Sequence, residues 1–424
     1  MVWIEYDCSV QQVGKTQKHD VLSVQRILPA SMIPQGVTVA FQRTVRVPDN
    51  DCTSALPPDL GYFPIYKTQD YASRLPPGIV RDGGVFIPMY QKEAMWVRFH
   101  ATSPFMVKIY VGGVNAISGE NASESEQTRE HRAALRSMGC SIQDYVVVPS
   151  QLWLDGVAID AGVVRQFVAM PVSQGYTVEA QLTGSDVLGG MQIEITPAMR
   201  KAVTASYQIF VTTLSGKTIA VPCGPEYSLS DVKSYESTLY LSLRLRGGNP
   251  DHQLGIAPGG LINQQVRADN YNPKDWLRGL TFSFPVHILN SEAFRAITGT
   301  NPPPSPIDAK TYAQAGLPFF ELYEEEESGI FGFESFDALK SVYRLEGERG
   351  LVGDVEQPVQ PEVVAIYEGP PQLVALQDWQ YGEDIVQVHN PDGVLSPAGP
   401  RREVRTLADL EAEMDKLCIQ PWSR

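Results

Sequence analysis

Short segments of alternating apolar and polar residues, separated by clusters of Gly and Pro, recur along most of the chain. Residues 37–47 have the sequence VTVAFQRTVRV, and the 424 residues include 35 Gly and 32 Pro. Alternation places successive side chains on opposite faces of a strand, so that one face can be buried. Gly and Pro favour turns over long helices. The pattern therefore predicts a mainly β fold of the α+β class, with few short helices.

The distribution of these segments predicts two larger β-rich domains, which agrees with a length of 424 residues. We expect an N-terminal β-sandwich-like domain at residues 1–120 and a second β-rich domain at residues 140–335. Residues 123–138 (SESEQTREHRAALRSM) contain neither Gly nor Pro and predict a connecting helix at residues 121–139. Residues 336–424 are rich in Pro, Gly and acidic residues, which predicts a loop-rich C-terminal region.

The chain is strongly acidic, with a net charge of −15. An acidic surface repels phosphate groups, so no nucleic-acid partner is expected. No apolar run approaches the roughly 20 residues of a membrane-spanning helix, and the first residues lack the pattern of a secretion signal. The five cysteines are scattered and none forms a CxxC pair, which favours neither a disulfide framework nor a zinc site. These features predict a cytoplasmic protein without a membrane span.

Two stretches of the chain are similar to strands of ubiquitin. Residues 207–219 (YQIFVTTLSGKTI) resemble its first strand and hairpin turn, and residues 236–248 (ESTLYLSLRLRGG) resemble its last strand. Ubiquitin has a much longer segment between these strands than residues 220–235. The resemblance therefore implies a truncated β-grasp module at residues 207–248. The whole chain also resembles a group of mostly fungal proteins that carry such a ubiquitin-like insert and have no assigned activity.

The leucine pattern of this segment indicates that the module is embedded in the chain. Leu239, Leu241 and Leu243 fall at every second position, as do Ile209 and Val211 in the first stretch. Such spacing gives a strand with one apolar face. Burying one leucine contributes about 1.5–3 kcal/mol, and the truncated module lacks the helix that covers this face in ubiquitin. We therefore expect the rest of the chain to cover it.

The hairpin turn of the module matches ubiquitin, whereas its diglycine end differs in being internal. Leu214, Gly216 and Lys217 match the hairpin turn of ubiquitin, where Gly216 supplies the backbone freedom that a tight turn requires. Gly247 and Gly248 match the diglycine end of ubiquitin, but here they are internal. Conjugation needs a free carboxylate, so it would require cleavage after Gly248. We predict a structural module that is not conjugated.

Four apolar residues near the end of the chain recur at helical spacing: Leu407, Leu410, Met414 and Leu417. This spacing predicts a C-terminal amphipathic helix with one apolar face. The face can dock on its own domain or form a contact with another subunit. The sequence leaves both interpretations open.

No catalytic or metal-binding motif accompanies these features, since GxSxG and HExxH are absent and the six histidines lack ligand spacing. We expect no cofactor and no metal ion. His100 and His287 lie on strand-like segments and are predicted to be buried structural residues. The densest group of acids and aromatics comprises Phe319, Phe320 and residues 321–327, and paired carboxylates beside aromatic rings are typical of glycosidases.

The leading hypothesis is a non-enzymatic structural protein of the cytoplasm that assembles into a homo-oligomer or binds other proteins. It rests on the absent catalytic motifs, the many strands and the amphipathic helix. One alternative is a carbohydrate- or protein-binding, lectin-like module that uses aromatic residues on β loops. A second alternative is an unrecognised hydrolase that uses Glu321, Glu324 and Glu325.

Overall fold

A computed structural model of the chain describes residues 6–13, 19–26, 35–50, 52–101, 103–123, 125–138, 143–199, 207–212, 218–223, 253–323, 336–351, 363–367, 385–386 and 405–406. Strands predominate over helices in these segments, so the predicted mainly β fold of the α+β class is confirmed. No helix within them is long and apolar enough to cross a membrane.

The described elements are the following. The first strands are β1 (Tyr6–Val13), β2 (His19–Arg26), β3 (Gln35–Thr44), β4 (Thr53–Ser54), β5 (Asp59–Tyr62), β6 (Tyr66–Lys67), β7 (Val85–Met89), β8 (Ala94–Ala101), β9 (Phe105–Val111) and β10 (Val114–Asn115). The later strands are β11 (Val146–Val148), β12 (Trp153–Leu154), β13 (Gly156–Asp160), β14 (Val163–Pro171), β15 (Met191–Pro197), β16 (Tyr207–Thr212), β17 (Thr218–Cys223), β18 (Gln253–Asn263), β19 (Phe282–Asn290), β20 (Phe319–Tyr323), β21 (Val363–Tyr367), β22 (Ile385–Val386) and β23 (Arg405–Thr406). The α-helices are α1 (Pro77–Asp82), α2 (Glu126–Ser137), α3 (Val178–Thr183), α4 (Ser291–Thr298), α5 (Ala309–Gln314) and α6 (Val342–Glu348), and short 3-10 helices span Thr68–Tyr71 and Arg278–Leu280.

Seventeen of the described strands, β1 to β15 with β18 and β19, form one hydrogen-bonded sheet. Its main series is β1–β2–β3–β8–β14–β18–β19–β15–β9–β11, and each neighbouring pair in it is antiparallel. Four short strands add antiparallel pairs: β5 with β3, β12 with β8, β13 with β14 and β10 with β9. β4 joins β18 and β7 joins β19 in parallel, and β6 pairs antiparallel with β7.

Both ends of this series contribute side chains to one hydrophobic core. Phe41 of β3 and Phe99 of β8 belong to the same buried cluster as Ile109 of β9, Ile193 of β15 and Phe284 of β19. None of these five side chains is more than 1% exposed. Because full burial of such a side chain contributes about 1.5–3 kcal/mol, the shared core stabilises the packing of the two halves against each other.

Strands on both sides of the predicted domain boundary at residues 121–139 belong to this one sheet. β8 pairs with β12 and β14, β9 pairs with β11 and β15, and β7 pairs with β19. Helix α2 lies in the boundary region, and most of its described side chains are exposed or half-buried. The boundary does not separate two sheets, because strands on each side satisfy backbone hydrogen bonds of strands on the other.

A buried ion pair anchors a proline-rich segment to the sheet. Arg43 Nε and Nη2 donate to Glu93 Oε1 at 2.8 and 2.6 Å, and the Glu93 side chain is 2% exposed. The Tyr90 N–H donates to Glu93 Oε2 at 2.8 Å. Arg43 Nη2 also donates to the carbonyl of Pro304 at 2.6 Å, and the Tyr90 hydroxyl donates to that of Pro303 at 3.1 Å. These contacts hold the segment after α4 beside β3 and β8.

Residues 336–351 dock on the same sheet through polar and apolar contacts. The Tyr343 N–H donates to Asp49 Oδ2 at 2.8 Å. Val342 of α6 is fully buried in a cluster that includes Ala257 of β18. Part of the predicted loop-rich C-terminal region is therefore packed against the β core.

Candidate functional site

Most of the residues singled out in the sequence for a ubiquitin-like module or a subunit contact lie outside the described residues. β16 and β17 are antiparallel, with Thr212 opposite Thr218, and Ile209 and Val211 lie on β16. Outside the described residues lie Leu214, Gly216, Lys217, Leu239, Leu241, Leu243, Gly247 and Gly248, and also Leu407, Leu410, Met414 and Leu417. The covered leucine face and the docking of the C-terminal helix therefore stay predictions.

The acid–aromatic group is described only in part. Phe319 and Phe320 of β20 are buried, whereas Glu321 is exposed. β20 pairs with β21, and Phe320 exchanges two backbone hydrogen bonds with Leu56. Residues 324–327 lie outside the described residues. Because both rings are buried, neither presents an open face on which a sugar can stack.

The two strand histidines differ in burial. His287 of β19 is buried, and its Nε2 lies 3.0 Å from the carbonyl oxygen of Gly83. Burial lowers the pKa of His287 to about 4, so the neutral ring donates its Nε2–H to this carbonyl at pH 7. The prediction of a buried structural histidine is confirmed for His287. It is wrong for His100, which is exposed on β8, because alternation turns it away from the face that buries Phe99.

Among the described strands, β1 lies at an edge of the main sheet. It is in register with β2 over all eight of its residues, and among the described strands it pairs with β2 alone. Successive side chains of a strand alternate between faces. Cys8 and Val10 therefore share one face, and Ser9, Gln11 and Val13 share the other. β1 therefore has two different side-chain faces, and no described strand pairs with its outer backbone edge.

A cavity of about 290 Å³ lies between the face of β1 that carries Cys8 and Val10, the 3-10 helix after β6, and the start of β7. Leu22 and Phe284 line it and are each 1% exposed, which makes them its floor. Gln69, which also lines the cavity, is exposed, so the mouth lies on the side of the 3-10 helix. Concave apolar sites with a few polar groups are typical of ligand pockets.

Two adjacent glycines form one wall of this cavity. Gly84 has a φ of +79°, and a Cβ at this position would collide with the carbonyl oxygen and ring of Pro285. This close approach brings β7 beside β19 in their parallel pairing. The Gly84 carbonyl accepts from the N–H and hydroxyl of Thr68 at 3.1 and 3.0 Å. The Gly83 carbonyl accepts a hydrogen bond from His287. The carbonyls of both glycines therefore already have hydrogen-bond donors.

Lys67 supplies a positive charge to the cavity lining. It is half-buried, and no carboxylate among the described residues forms an ion pair with it. Asp20 of β2 is engaged elsewhere, because it accepts from the Ile65 N–H at 3.0 Å and from Gln12 Nε2 at 3.3 Å. The cavity therefore combines an apolar floor with one cationic group.

The buried carboxylate of Glu179, away from the cavity, is bound by backbone amides. Glu179 accepts from the N–H groups of Val187, Leu188 and Gly189, each at 2.9 Å. Burial raises the pKa of Glu179, and these three donors oppose the rise. In the part of the chain that the structure describes, no group of three or more His, Cys, Asp or Glu side chains is arranged to hold a metal ion.

Comparison with protein-family models, with curated proteins and with solved structures finds no match to this chain. The candidate functional features of this chain are β1 and the cavity beside it. Neither was predicted from the sequence, because the residues of the cavity come from segments that are distant along the chain. A local signal for the cavity is the pair of adjacent glycines at residues 83–84.

Proposed function

We propose that this is a non-enzymatic structural protein of the cytoplasm that assembles with itself, with a second copy of the chain pairing along the outer edge of β1. The observation that carries the proposal is the length and regularity of β1, which has eight residues, no proline and no register shift against β2. The backbone groups along such an edge can pair with a strand of another chain.

Other strands of the 17-stranded sheet with a single neighbour among the described residues are shorter than β1, and β5 also pairs with a register shift. β13 has a register shift between Ala158 and Asp160, and β4, β10 and β12 are each two residues long. Bulges and short length are common protections of sheet edges. β1 has neither, and Asp7 is its only charged residue. A two-fold antiparallel pairing of eight residues would extend over about 26 Å.

The same proposal treats residues 207–248 as an embedded ubiquitin-like element with a structural role, not conjugated through Gly248. Its support is the sequence resemblance, including that of the whole chain to the mostly fungal proteins with such an insert. Burial of the rings of Phe319 and Phe320 removes these two aromatics from the carbohydrate-binding alternative. Glu324 and Glu325 of the hydrolase alternative lie outside the described residues.

The test is the molar mass in solution, measured by size-exclusion chromatography with light scattering from low micromolar to submillimolar concentration. We expect a rise from the 46.8 kDa of one chain towards twice that mass. The rise should be larger at high salt, because two copies with a net charge of −15 repel each other and salt screens this repulsion. A strict monomer at every concentration would overturn the proposal.

A pair of variants locates the contact. Gln11→Lys with Val13→Lys places two lysines on β1, where lysine opposes edge pairing, and should abolish the rise in mass. The matched control is Thr53→Lys with Val363→Lys, which makes the same change of charge at exposed strand positions away from β1. The control should still associate. Equal loss of association in both variants would assign the effect to net charge and exclude β1 as the contact.

A further inference from the structure

We propose that the cavity beside β1 binds a small amphipathic carboxylate, of the size of a medium-chain fatty acid. The carboxylate lies at Lys67, and the hydrocarbon part lies on the floor formed by Leu22, Val85 and Phe284. This inference goes beyond the proposed self-association and does not depend on it.

The volume of the cavity sets the size of the ligand. Its volume of about 290 Å³ is close to the lower end of the range for ligand pockets. An apolar cavity of about 150 Å³ accommodates benzene, so twice that volume accommodates roughly ten to twelve non-hydrogen atoms, which is the size of octanoate.

The floor of the cavity favours a hydrocarbon over water. Leu22 and Phe284 are each 1% exposed and Val85 is 5% exposed, so their side chains offer apolar surface at the bottom of the cavity. Water in contact with such a surface lacks hydrogen-bond partners, and an apolar chain gains free energy by replacing it. The ligand therefore has an apolar part that lies on this floor.

The charge of Lys67 selects the head group of the ligand. Lys67 forms no ion pair with a carboxylate of the described residues, so a bound carboxylate would be its counter-ion. The Gly84 carbonyl already accepts two hydrogen bonds from Thr68 and the Gly83 carbonyl accepts one from His287, which leaves little acceptor capacity for a cationic head group. Gln69 at the mouth offers an amide that can donate a second hydrogen bond to the carboxylate.

Titration calorimetry with octanoate, octanol and octylammonium tests the proposal on the full chain. Octanoate should bind more tightly than octanol, and octylammonium should bind least. Lys67→Met keeps the apolar stem and removes the charge, so it should weaken octanoate binding by about tenfold or more, as expected for a hydrogen bond to a charged group. Octanol binding should be unchanged. The matched control, Lys274→Met, removes an exposed lysine that does not line the cavity and should leave octanoate binding intact.

Isotope-edited NMR locates bound octanoate on the wild-type chain, so no substitution that fills the cavity is needed. Nuclear Overhauser effects should connect the hydrocarbon protons of octanoate to the methyl groups of Val85 and the ring of Phe284. Equal affinity for octanoate and octanol, unchanged octanoate affinity in Lys67→Met, or Overhauser effects that arise only elsewhere would each overturn the proposal.

Discussion

Glu93 lies at the centre of the buried cluster that anchors the proline-rich segment, and Glu93→Gln perturbs it with almost no change of volume. One amide oxygen replaces the carboxylate, so it can accept from Arg43 or from the Tyr90 N–H, which both bond to Glu93 in the wild type. The Arg43 side chain is 11% exposed. The substitution therefore leaves a buried guanidinium without a counter-charge and one buried donor without an acceptor.

The expected loss follows from these two effects. An unsatisfied buried donor costs about 1–3 kcal/mol, and removal of one partner of a buried ion pair costs about 3–5 kcal/mol in total. We expect Glu93→Gln to lower the free energy of unfolding by about 3–5 kcal/mol, which is a large share of the stability of an ordinary domain. The loss is measured by urea unfolding at pH 7, followed by circular dichroism.

A double-mutant cycle with Arg43→Met separates the ion pair from simple loss of packing. The double variant contains no buried unpaired charge, so it should be more stable than the sum of the two single losses predicts. Limited proteolysis should also cut the segment around Pro304 faster in Arg43→Met, because the bond from Arg43 to its carbonyl is lost. A loss below about 1 kcal/mol in Glu93→Gln, or strictly additive losses in the cycle, would refute the reasoning.

Two further predictions concern a half-buried acid and a cavity-wall glycine. Burial raises the pKa of Asp59 from 3.8 to about 7, so between these pH values the folded state holds a proton that the unfolded state has released. The free energy of unfolding should therefore fall as the pH rises through this range, and Asp59 contributes up to about 4 kcal/mol to that fall. In Asp59→Asn, urea unfolding at a series of pH values should show a decrease that is smaller by this amount. The same pH dependence in wild type and variant would contradict a raised pKa at Asp59. Gly84 and Gly299 both have positive φ, but only at Gly84 would a Cβ collide with a neighbour, Pro285. Thermal unfolding should therefore show a greater loss for Gly84→Ala than for Gly299→Ala, which should lose about 1–2 kcal/mol, and equal losses would contradict the close approach.

The strands and helix α2 are predictable because their patterns are local. In β3, the side chains of Val37, Val39 and Phe41 are each at most 1% exposed, as expected from alternation in residues 37–47. Helix α2 lies within the stretch that lacks Gly and Pro. Each of these inferences needs only residues that are two to four positions apart.

The sheet pairing and the cavity are not predictable in this way, because they depend on residues that are distant in sequence. Arg43 lies 50 positions from Glu93 and 261 positions from Pro304, and three different strands or loops supply these partners. The cavity joins β1 and β2 to Lys67 and to Phe284 of β19 in the same way. Alternation shows which face of a strand is apolar, but not which strand covers it.

β1 takes part in both proposals through different parts of the same strand. Cys8 and Val10 line the cavity, Ser9, Gln11 and Val13 lie on the opposite face, and the proposed pairing uses the backbone edge between the faces. A ligand in the cavity contacts side chains and does not occupy this edge, so it does not compete with a second copy. Because coupling between two binding events is reciprocal, any increase in association caused by the ligand must equal the increase in ligand affinity caused by association. Self-association and ligand binding can thus be removed by different substitutions. Any coupling between them can be measured either as a change in association on adding ligand or as a change in ligand affinity on association.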